Sequence, residues 1–139
     1  MRLIVLILSL LVSCGTRAAE FKIAEEAVTL SDKVMNQVAT GDLRGGLEAM
    51  KSYTVVPAAE YDAMIGQAEL RQPMMLARFG KSIGYELIRN DAVGKSLVHV
   101  VYLQRFERHA TVWRFIFYRT NAGWTLNSFK YVDDITAAL

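Results

Sequence analysis

The residues best suited to acid–base or metal chemistry are two histidines and a few carboxylates. His99 and His109 are ten residues apart, and Glu107 is the carboxylate that accompanies them. This spacing matches no compact metal site, and the sequence has no nucleophile triad or phosphate-binding loop, so we expect no metal and no cofactor. The pair Asp133-Asp134 could place a general base at a pocket rim, although a solvated strand end explains the pair more simply.

A second set of residues has the chemistry of a binding pocket. These side chains combine apolar or aromatic surface with polar tips, and the strand pattern places them on one face of a sheet: Tyr102, Gln104, Trp113, Asn127 and Tyr131. Aromatic walls with a few polar groups suit a small apolar ligand. The alternative is a filled core whose polar tips reach water at its edge. None of the five is a good general base at neutral pH, which weakens the case for an isomerase- or dehydratase-type enzyme.

The elements that must position these residues are helices in the first half of the chain and four strands over Ser82–Asp134. Apolar residues at helical spacing predict a first helix of about 20 residues that starts near Ala24 and ends at Gly41. Asp42 can cap a short second helix, and Pro57 suits the first turn of a third. Helices followed by strands predict an α+β domain, with three helices packed on an antiparallel sheet.

Proline and glycine predict two irregularities within the helices. Pro73 should end the third helix and leave only a brief helical turn before Gly80. The pair Gly45-Gly46 either weakens the second helix or allows two backbones to pack closely.

Two turns set the predicted register of the last three strands. A tight turn at Arg108-His109 predicts the pairs Phe106–Thr111, Gln104–Trp113, Tyr102–Phe115 and Val100–Phe117. A three-residue turn at Asn121-Ala122-Gly123 predicts the pairs Phe117–Asn127, Phe115–Phe129 and Trp113–Tyr131.

Both turns assign the same residues to a strongly aromatic inner face, which we expect to meet the helices. That face comprises Val98, Val100, Tyr102, Phe106, Trp113, Phe115, Phe117, Phe129 and Tyr131. The outer face is mixed and comprises His99, Leu103, Arg105, Val112, Arg114, Ile116, Tyr118, Trp124, Leu126, Ser128 and Lys130. Its apolar area exceeds what a solvated face needs. We therefore expect a homodimer through the outer face, or else burial under the N-terminal segment or another protein.

Residues 1–19 are expected to be an export signal, and residues 20–139 a single α+β domain. Arg2 precedes an apolar run from Leu3 to Val12 that is too short to span a membrane. Two cleavage sites remain open. The sequence Leu11-Val12-Ser13-Cys14 is typical of a lipoprotein signal that would be lipidated at Cys14, whereas Thr16-Arg17-Ala18 followed by Ala19 is typical of ordinary signal cleavage.

The charge pattern argues against nucleic acid as a partner. The full chain has 16 basic and 14 acidic residues, but Arg2 and Arg17 lie in the leader, so the remaining domain is close to neutral. A neutral domain without a basic stripe lacks the electrostatic footprint of a nucleic-acid-binding protein. Residues 20–69 are mainly acidic and residues 70–139 mainly basic, which predicts an acidic helical layer resting on a basic sheet.

The order of elements resembles that of the nuclear-transport-factor-2-like superfamily, the cone-shaped α+β fold that also includes SnoaL-like and cystatin-like proteins. The resemblance rests on three helices with Gly41-Asp42 after the first, and on a long antiparallel sheet that closes with Gly123-Trp124-Thr125-Leu126-Asn127-Ser128-Phe129. The closing strand is similar to that of small secreted bacterial members of unknown function. The resemblance implies a curved sheet, a pocket between helices and sheet, and frequent dimers through the outer face.

These observations predict an exported, envelope-associated interaction or scaffold domain without catalytic activity. A periplasmic binder of a small hydrophobic ligand is the alternative, and a small isomerase- or dehydratase-type enzyme is the third reading. The expected location is the periplasm or the cell envelope, with contact to the membrane only through a lipid anchor. An envelope protein is the expected partner besides a second copy of the chain.

Overall fold

The computed structural model describes residues 18–139. Three α-helices come first: α1 (Ala24–Ala39), α2 (Leu43–Met50) and α3 (Ala58–Phe79). Four strands follow: β1 (Ser82–Val93), β2 (Leu97–Phe106), β3 (Ala110–Arg119) and β4 (Trp124–Val132). Short 3₁₀ turns occupy Lys51–Tyr53 and Ile135–Ala138. The predicted α+β class is therefore confirmed, with three helices that precede a four-stranded antiparallel sheet.

The predicted leader and its lipidation site, Cys14, fall almost entirely in residues 1–17, which lie outside the described residues. No helix within residues 18–139 is both long enough and apolar enough to cross a membrane. The described chain begins with contacts to the domain, because the Ala19 amide donates to the Ser52 carbonyl at 2.7 Å. Phe21 and Trp124 then form an antiparallel bridge at the edge of β4.

The junction between α1 and α2 follows the sequence prediction. The Asp42 carboxylate accepts a hydrogen bond from the Gly45 amide at 2.9 Å and so caps α2. A Cβ on Gly46 would lie 2.7 Å from Cγ2 of Val38 and 3.1 Å from the carbonyl oxygen of Val34. Of the two readings of the glycine pair, close packing of α2 on α1 is therefore the one that the structure supports.

Helix α3 does not end at Pro73, so that prediction is wrong. The helix continues through the proline to Phe79. Proline removes one helical hydrogen bond, but both ends of α3 are fixed by other contacts. Before the proline, Ile65 is buried in the core, and after the proline, Phe79 is buried. Arg108 also donates from Nη2 to the Ala77 carbonyl at 3.1 Å, which satisfies one of the free carbonyls at the end of the helix.

The strands lie in the order β1-β2-β3-β4. The turn between β2 and β3 falls at Glu107-Arg108, since the Phe106 amide donates to the His109 carbonyl at 2.8 Å. Every predicted β2–β3 pair is therefore displaced by two residues, as in Tyr102 with Trp113 instead of Phe115. A shift of two preserves the side-chain alternation, so the predicted inner residues of β2 and β3 do face the helices and are buried.

The β3–β4 pairing is confirmed in one half and wrong in the other. Trp113 pairs with Tyr131 and Phe115 pairs with Phe129, as predicted. A register shift between Ile116 and Phe117 then pairs Phe117 with Leu126. The extra residue is Asn127, which is exposed. Such a β-bulge turns the following residues by one position, so Leu126 joins the core, and Trp124 packs against that core, instead of lying on the outer face as predicted.

The chain that follows β4, residues 133–139, crosses the outer face of the sheet. Its 3₁₀ turn contacts β3 and β2, and on β1 the Arg89 Nη2 donates to the carbonyl oxygens of Ala138 at 3.3 Å and Leu139 at 2.9 Å. Val101 and Val112 on this face are fully buried. The open apolar surface expected around Val112 is therefore partly covered by the chain itself.

Candidate functional site

The second half of α3 stands away from the rest of the molecule. Before this stretch, Tyr61, Ile65 and Ala68 are buried in the core. Leu70 is 82% exposed and Met74 is 63% exposed, and burial returns only at Phe79. This arrangement leaves a groove on each side of the helix, and Met75 lines both.

The first groove, of about 330 Å³, lies between α3, the end of α1 and the starts of β1 and β3. Its floor is formed by a connected polar network. Gln104 Oε1 accepts from Trp113 Nε1 at 3.0 Å and from the Thr111 hydroxyl at 3.4 Å, and Gln104 Nε2 donates to Ser82 Oγ at 3.2 Å. Two of the predicted pocket residues, Gln104 and Trp113, therefore meet here. Their polar atoms bind one another, and this satisfies the requirement that buried polar groups be paired.

The second groove, of about 370 Å³, lies between α3 and the end of β4. Its apolar walls include Met74, Phe79, Tyr131 and Val132. The Tyr131 ring stacks on Trp113 with ring centroids 4.4 Å apart and planes 16° apart. Burial raises the pKa of Tyr131 above its ordinary value. Tyr131, another predicted pocket residue, therefore lines this groove and is separated from the first groove by Trp113.

Tyr102 belongs to the filled core. It is 1% exposed, and its hydroxyl lies 3.3 Å from Ser31 Oγ. Burial raises the pKa of Tyr102 to about 12. For Tyr102 the structure therefore agrees with the filled-core alternative. Asn127 lies at the exposed bulge, away from both grooves. The structure thus divides the five predicted pocket residues among two grooves, the core and the surface.

The titratable residues considered from the sequence lie mainly outside the grooves. The imidazole of His99 lies on the outer face of the sheet, and its pKa is lowered by desolvation and by the charges of Arg114 and Arg89. His109 Nε2 lies 2.8 Å from the carbonyl oxygen of Asp133, and its ring lies 4.5 Å from that of Phe79. These contacts tie the β2–β3 turn to the end of β4 and to the end of α3.

The predicted carboxylates have structural contacts. Glu107 Oε2 accepts from the Lys81 amide at 3.1 Å. The Asp134 carboxylate accepts from the Thr136 hydroxyl at 2.6 Å and from the Thr136 amide at 3.0 Å, and these hydrogen bonds lower the pKa of Asp134. Asp133 is exposed at the rim of the second groove. Within residues 18–139 no carboxylate is buried, and no cluster of potential metal ligands occurs there.

The residues that α3 contributes to the grooves were not predicted from the sequence, above all Arg71, Met75 and Arg78. The error came from ending the helix at Pro73. A signal was present, because residues 70–85 contain three basic residues and no acidic one. If the helical pattern is continued past the proline, two of these cations, Arg71 and Arg78, fall on one amphipathic helix.

The fold and the site define an α+β domain with two apolar grooves beside a partly exposed helix. No protein-family model, curated protein or solved structure matches the chain.

Proposed function

We propose that this protein is an exported, envelope-associated domain that acts by binding. The observation that carries the proposal is the pair of grooves along α3, each walled mainly by apolar side chains. Their charged groups, Lys81 at the first groove and Arg71, Arg78 and Asp133 at the second, are all exposed. Apolar clefts of 300–1,000 Å³ with a few polar groups are typical of binding sites. The third reading, an isomerase- or dehydratase-type enzyme, would need a general base inside the cleft.

The proposal includes membership of the small secreted branch of the nuclear-transport-factor-2-like superfamily, with its curved, cone-like sheet. The order of three helices and then four antiparallel strands supports this assignment. The register shifts in the β1–β2 and β3–β4 pairings also support it, since β-bulges bend strands and increase their twist.

An interaction or scaffold role is supported by the outward side of α3. Four exposed residues, Leu70, Pro73, Met74 and Ala77, follow the i, i+3, i+4, i+7 spacing of an apolar stripe. Such a stripe on a soluble domain marks a contact surface. With Arg71 and Arg78 nearby, the partner that it fits is an envelope protein with an apolar patch bordered by carboxylates.

Capture from envelope extract tests the interaction role. We compare the tagged wild-type protein with Leu70→Asp and Met74→Asp. The control is Val55→Asp, which changes an apolar residue outside α3 that is about as exposed as Leu70. We expect the two stripe variants to lose a specifically crosslinked protein that the wild type and the control retain. Identical crosslinks from all four proteins would contradict docking on α3.

A binder of a small hydrophobic ligand is the second candidate, and the grooves themselves support it. Mass spectrometry of the protein purified without detergent tests it, because a bound ligand would add mass under native conditions and disappear on denaturation. We expect this ligand to be lost from variants in the grooves and kept by Val55→Asp. A protein that stays ligand-free after exposure to envelope lipids would contradict this candidate alone.

Export and anchoring require a separate test, since Cys14 lies outside the described residues. We propose a lipidated N-terminus at Cys14, with ordinary cleavage before Ala19 as the alternative. Cys14→Ser should release the protein from membrane fractions. An intact mass that shows an unmodified N-terminus at Ala19 would support the alternative, and an uncleaved cytoplasmic protein would contradict both.

A further inference from the structure

The second groove has a charge distribution that its apolar walls do not require. Arg71 and Arg78 are seven residues apart, hence on the same side of α3, and both line the groove. None of the ion pairs formed within residues 18–139 includes either arginine. The one carboxylate along the groove is that of Asp133. Two guanidinium groups opposite one carboxylate leave this groove with a net positive charge.

The walls are suited to an extended aliphatic chain. Phe79 is buried, and the Tyr131 ring stacks on Trp113. Met74 and Met75 form the opposite wall, and unbranched methionine side chains adjust readily to the shape of a ligand. The groove is thus an apolar trough with an adaptable side.

Both arginines line the groove together with its aromatic walls. The guanidinium carbon of Arg78 lies 5.4 Å from the centroid of the Phe79 ring. The positive charge of Arg71 acts on the Tyr131 hydroxyl and opposes the effect of burial on its pKa. Each cation is therefore near an aromatic wall of the groove.

We propose that this groove binds a free aliphatic carboxylate, whose chain lies against Phe79, Tyr131 and Val132 and whose head group is held by Arg71 and Arg78. Guanidinium groups bind carboxylates with paired, charge-assisted hydrogen bonds. The exposed carboxylate of Asp133 at the rim would repel further negative charge, so we expect a ligand that carries a single one. The inference rests on the proposed binding function and names the ligand class for one of its grooves.

Calorimetric titration with dodecanoate below its micelle concentration tests the proposal, with dodecan-1-ol as the neutral probe of equal length. The protein is purified from cells that express the full chain. We expect the double variant Arg71→Gln/Arg78→Gln to bind dodecanoate about tenfold more weakly or worse, with little change for the alcohol. The matched control Lys95→Gln/Arg119→Gln removes two exposed cations that line a separate cavity between the β1–β2 and β3–β4 turns, and it should bind dodecanoate like the wild type.

A second variant tests the contribution of the apolar wall. Met74→Gln keeps the length of a side chain that lines this groove and not the first one, and it should weaken binding of both dodecanoate and dodecan-1-ol. Circular dichroism and the thermal midpoint show whether each variant is folded, so that a loss of binding is assigned to the groove. Equal dodecanoate affinity in the arginine variant and its control would overturn the proposal.

Two further results would also overturn it. One is the absence of saturable dodecanoate binding by the wild type. The other is binding to phosphatidylglycerol vesicles without binding to dodecanoate, which would make the groove a lipid-surface contact. If dodecanoate fails while the Leu70-dependent crosslink persists, the ligand class is wrong and the proposed binding function stands. If neither dodecanoate binding nor the Leu70-dependent crosslink is observed, the proposed binding function is contradicted as well.

Discussion

Gly80 lies directly against the side chain of Glu107. A Cβ at Gly80 would lie 2.5 Å from Oε2 of Glu107 and 2.9 Å from its Cβ. The Glu107 carboxylate accepts from the Lys81 amide, and the Arg108 amide donates to the Phe79 carbonyl at 2.8 Å. The β2–β3 turn is therefore docked on the end of α3, and the absence of a side chain at Gly80 makes this possible. The docked turn holds the groove-forming half of α3 in place.

The first prediction is that Gly80→Ala destabilises the protein. Gly80 has φ 85° and ψ −165°, a conformation that is essentially restricted to glycine and costs other residues about 1–3 kcal/mol. The clash with Glu107 adds to this cost. Urea unfolding should therefore show a free energy of unfolding lower by at least about 1–3 kcal/mol.

Gly66→Ala is the matched control. Gly66 lies within α3, and apart from its chain neighbours and the backbone of its own helix no atom lies within 4 Å of the position that its Cβ would take. Alanine should raise the free energy of unfolding there by about 0.5–1 kcal/mol, because glycine is costly inside a helix. A Gly80→Ala variant at least as stable as the wild type would contradict the docking of the turn on α3.

The second prediction concerns the polar network of Gln104. Gln104→Leu removes the acceptor of the Trp113 indole and the Thr111 hydroxyl, and leaves these buried donors unpaired. Each such donor costs about 1–3 kcal/mol. Asn127→Ala, at the exposed bulge, should change the free energy of unfolding by about 0.5 kcal/mol or less. If the Asn127 variant proves the more destabilised in urea, Asn127 faces the interior as the sequence first indicated.

The inner face of the sheet could be predicted from the sequence because its aromatic residues alternate over three strands. A register error of two residues between β2 and β3 left this face unchanged, since side chains alternate with a period of two. The bulge at Asn127 could not be predicted, because it moves a single residue of β4 and depends on the packing of Leu126 in the core. Its effect was large, since it moved Trp124 and Leu126 to the other face.

The candidate site was predicted only in part. Gln104, Trp113 and Tyr131 were found because they lie on regular strands. The α3 residues were missed because a local rule for proline was applied to a helix that tertiary contacts hold together beyond Pro73. The cover on the outer face was missed because residues 133–139 have no periodic pattern, and their position depends on Arg89, more than 40 residues away in the sequence.

The third prediction tests the assignment of faces. Phe115 is fully buried, and Phe115→Ala should lower the free energy of unfolding by about 3–5 kcal/mol. Phe129 is only partly buried, so Phe129→Ala should cost roughly half as much. The exposed residues Arg105 and Lys130 serve as controls. Their alanine variants should change the free energy of unfolding by about 0.5 kcal/mol or less. If chemical denaturation shows that the alanine variants of Arg105 and Lys130 lose more stability than those of Phe115 and Phe129, the inner and outer faces are exchanged.

The fourth prediction concerns pH. The pKa of His99 is lowered from its ordinary value of 6.5 in the folded protein, and its Nε2 is buried without a hydrogen-bond partner among the described residues. Below pH 6.5 His99 binds a proton more readily in the unfolded chain than in the folded protein. The free energy of unfolding therefore falls as the pH decreases from 6.5. We expect His99→Gln to lose less stability than the wild type between pH 7.5 and pH 5.5, as measured by urea unfolding. If His99→Gln loses as much stability as the wild type between these two pH values, other groups cause the acid sensitivity.

The last prediction is a homodimer through the outer face, formed over the segment that follows β4. Val101 and Val112 are covered by this segment, but Ile135 on the segment is 51% exposed and Tyr118 on β3 is 45% exposed. A symmetric contact would bury these apolar residues against their copies and leave Arg105 at the rim. Light scattering on the protein at micromolar concentration should give the mass of a dimer. Ile135→Asp should give a monomer because it places a charge in the contact, whereas Val55→Asp should remain dimeric. A monomeric wild type would contradict the dimer, and a dimer that Ile135→Asp leaves intact would place the contact on another face.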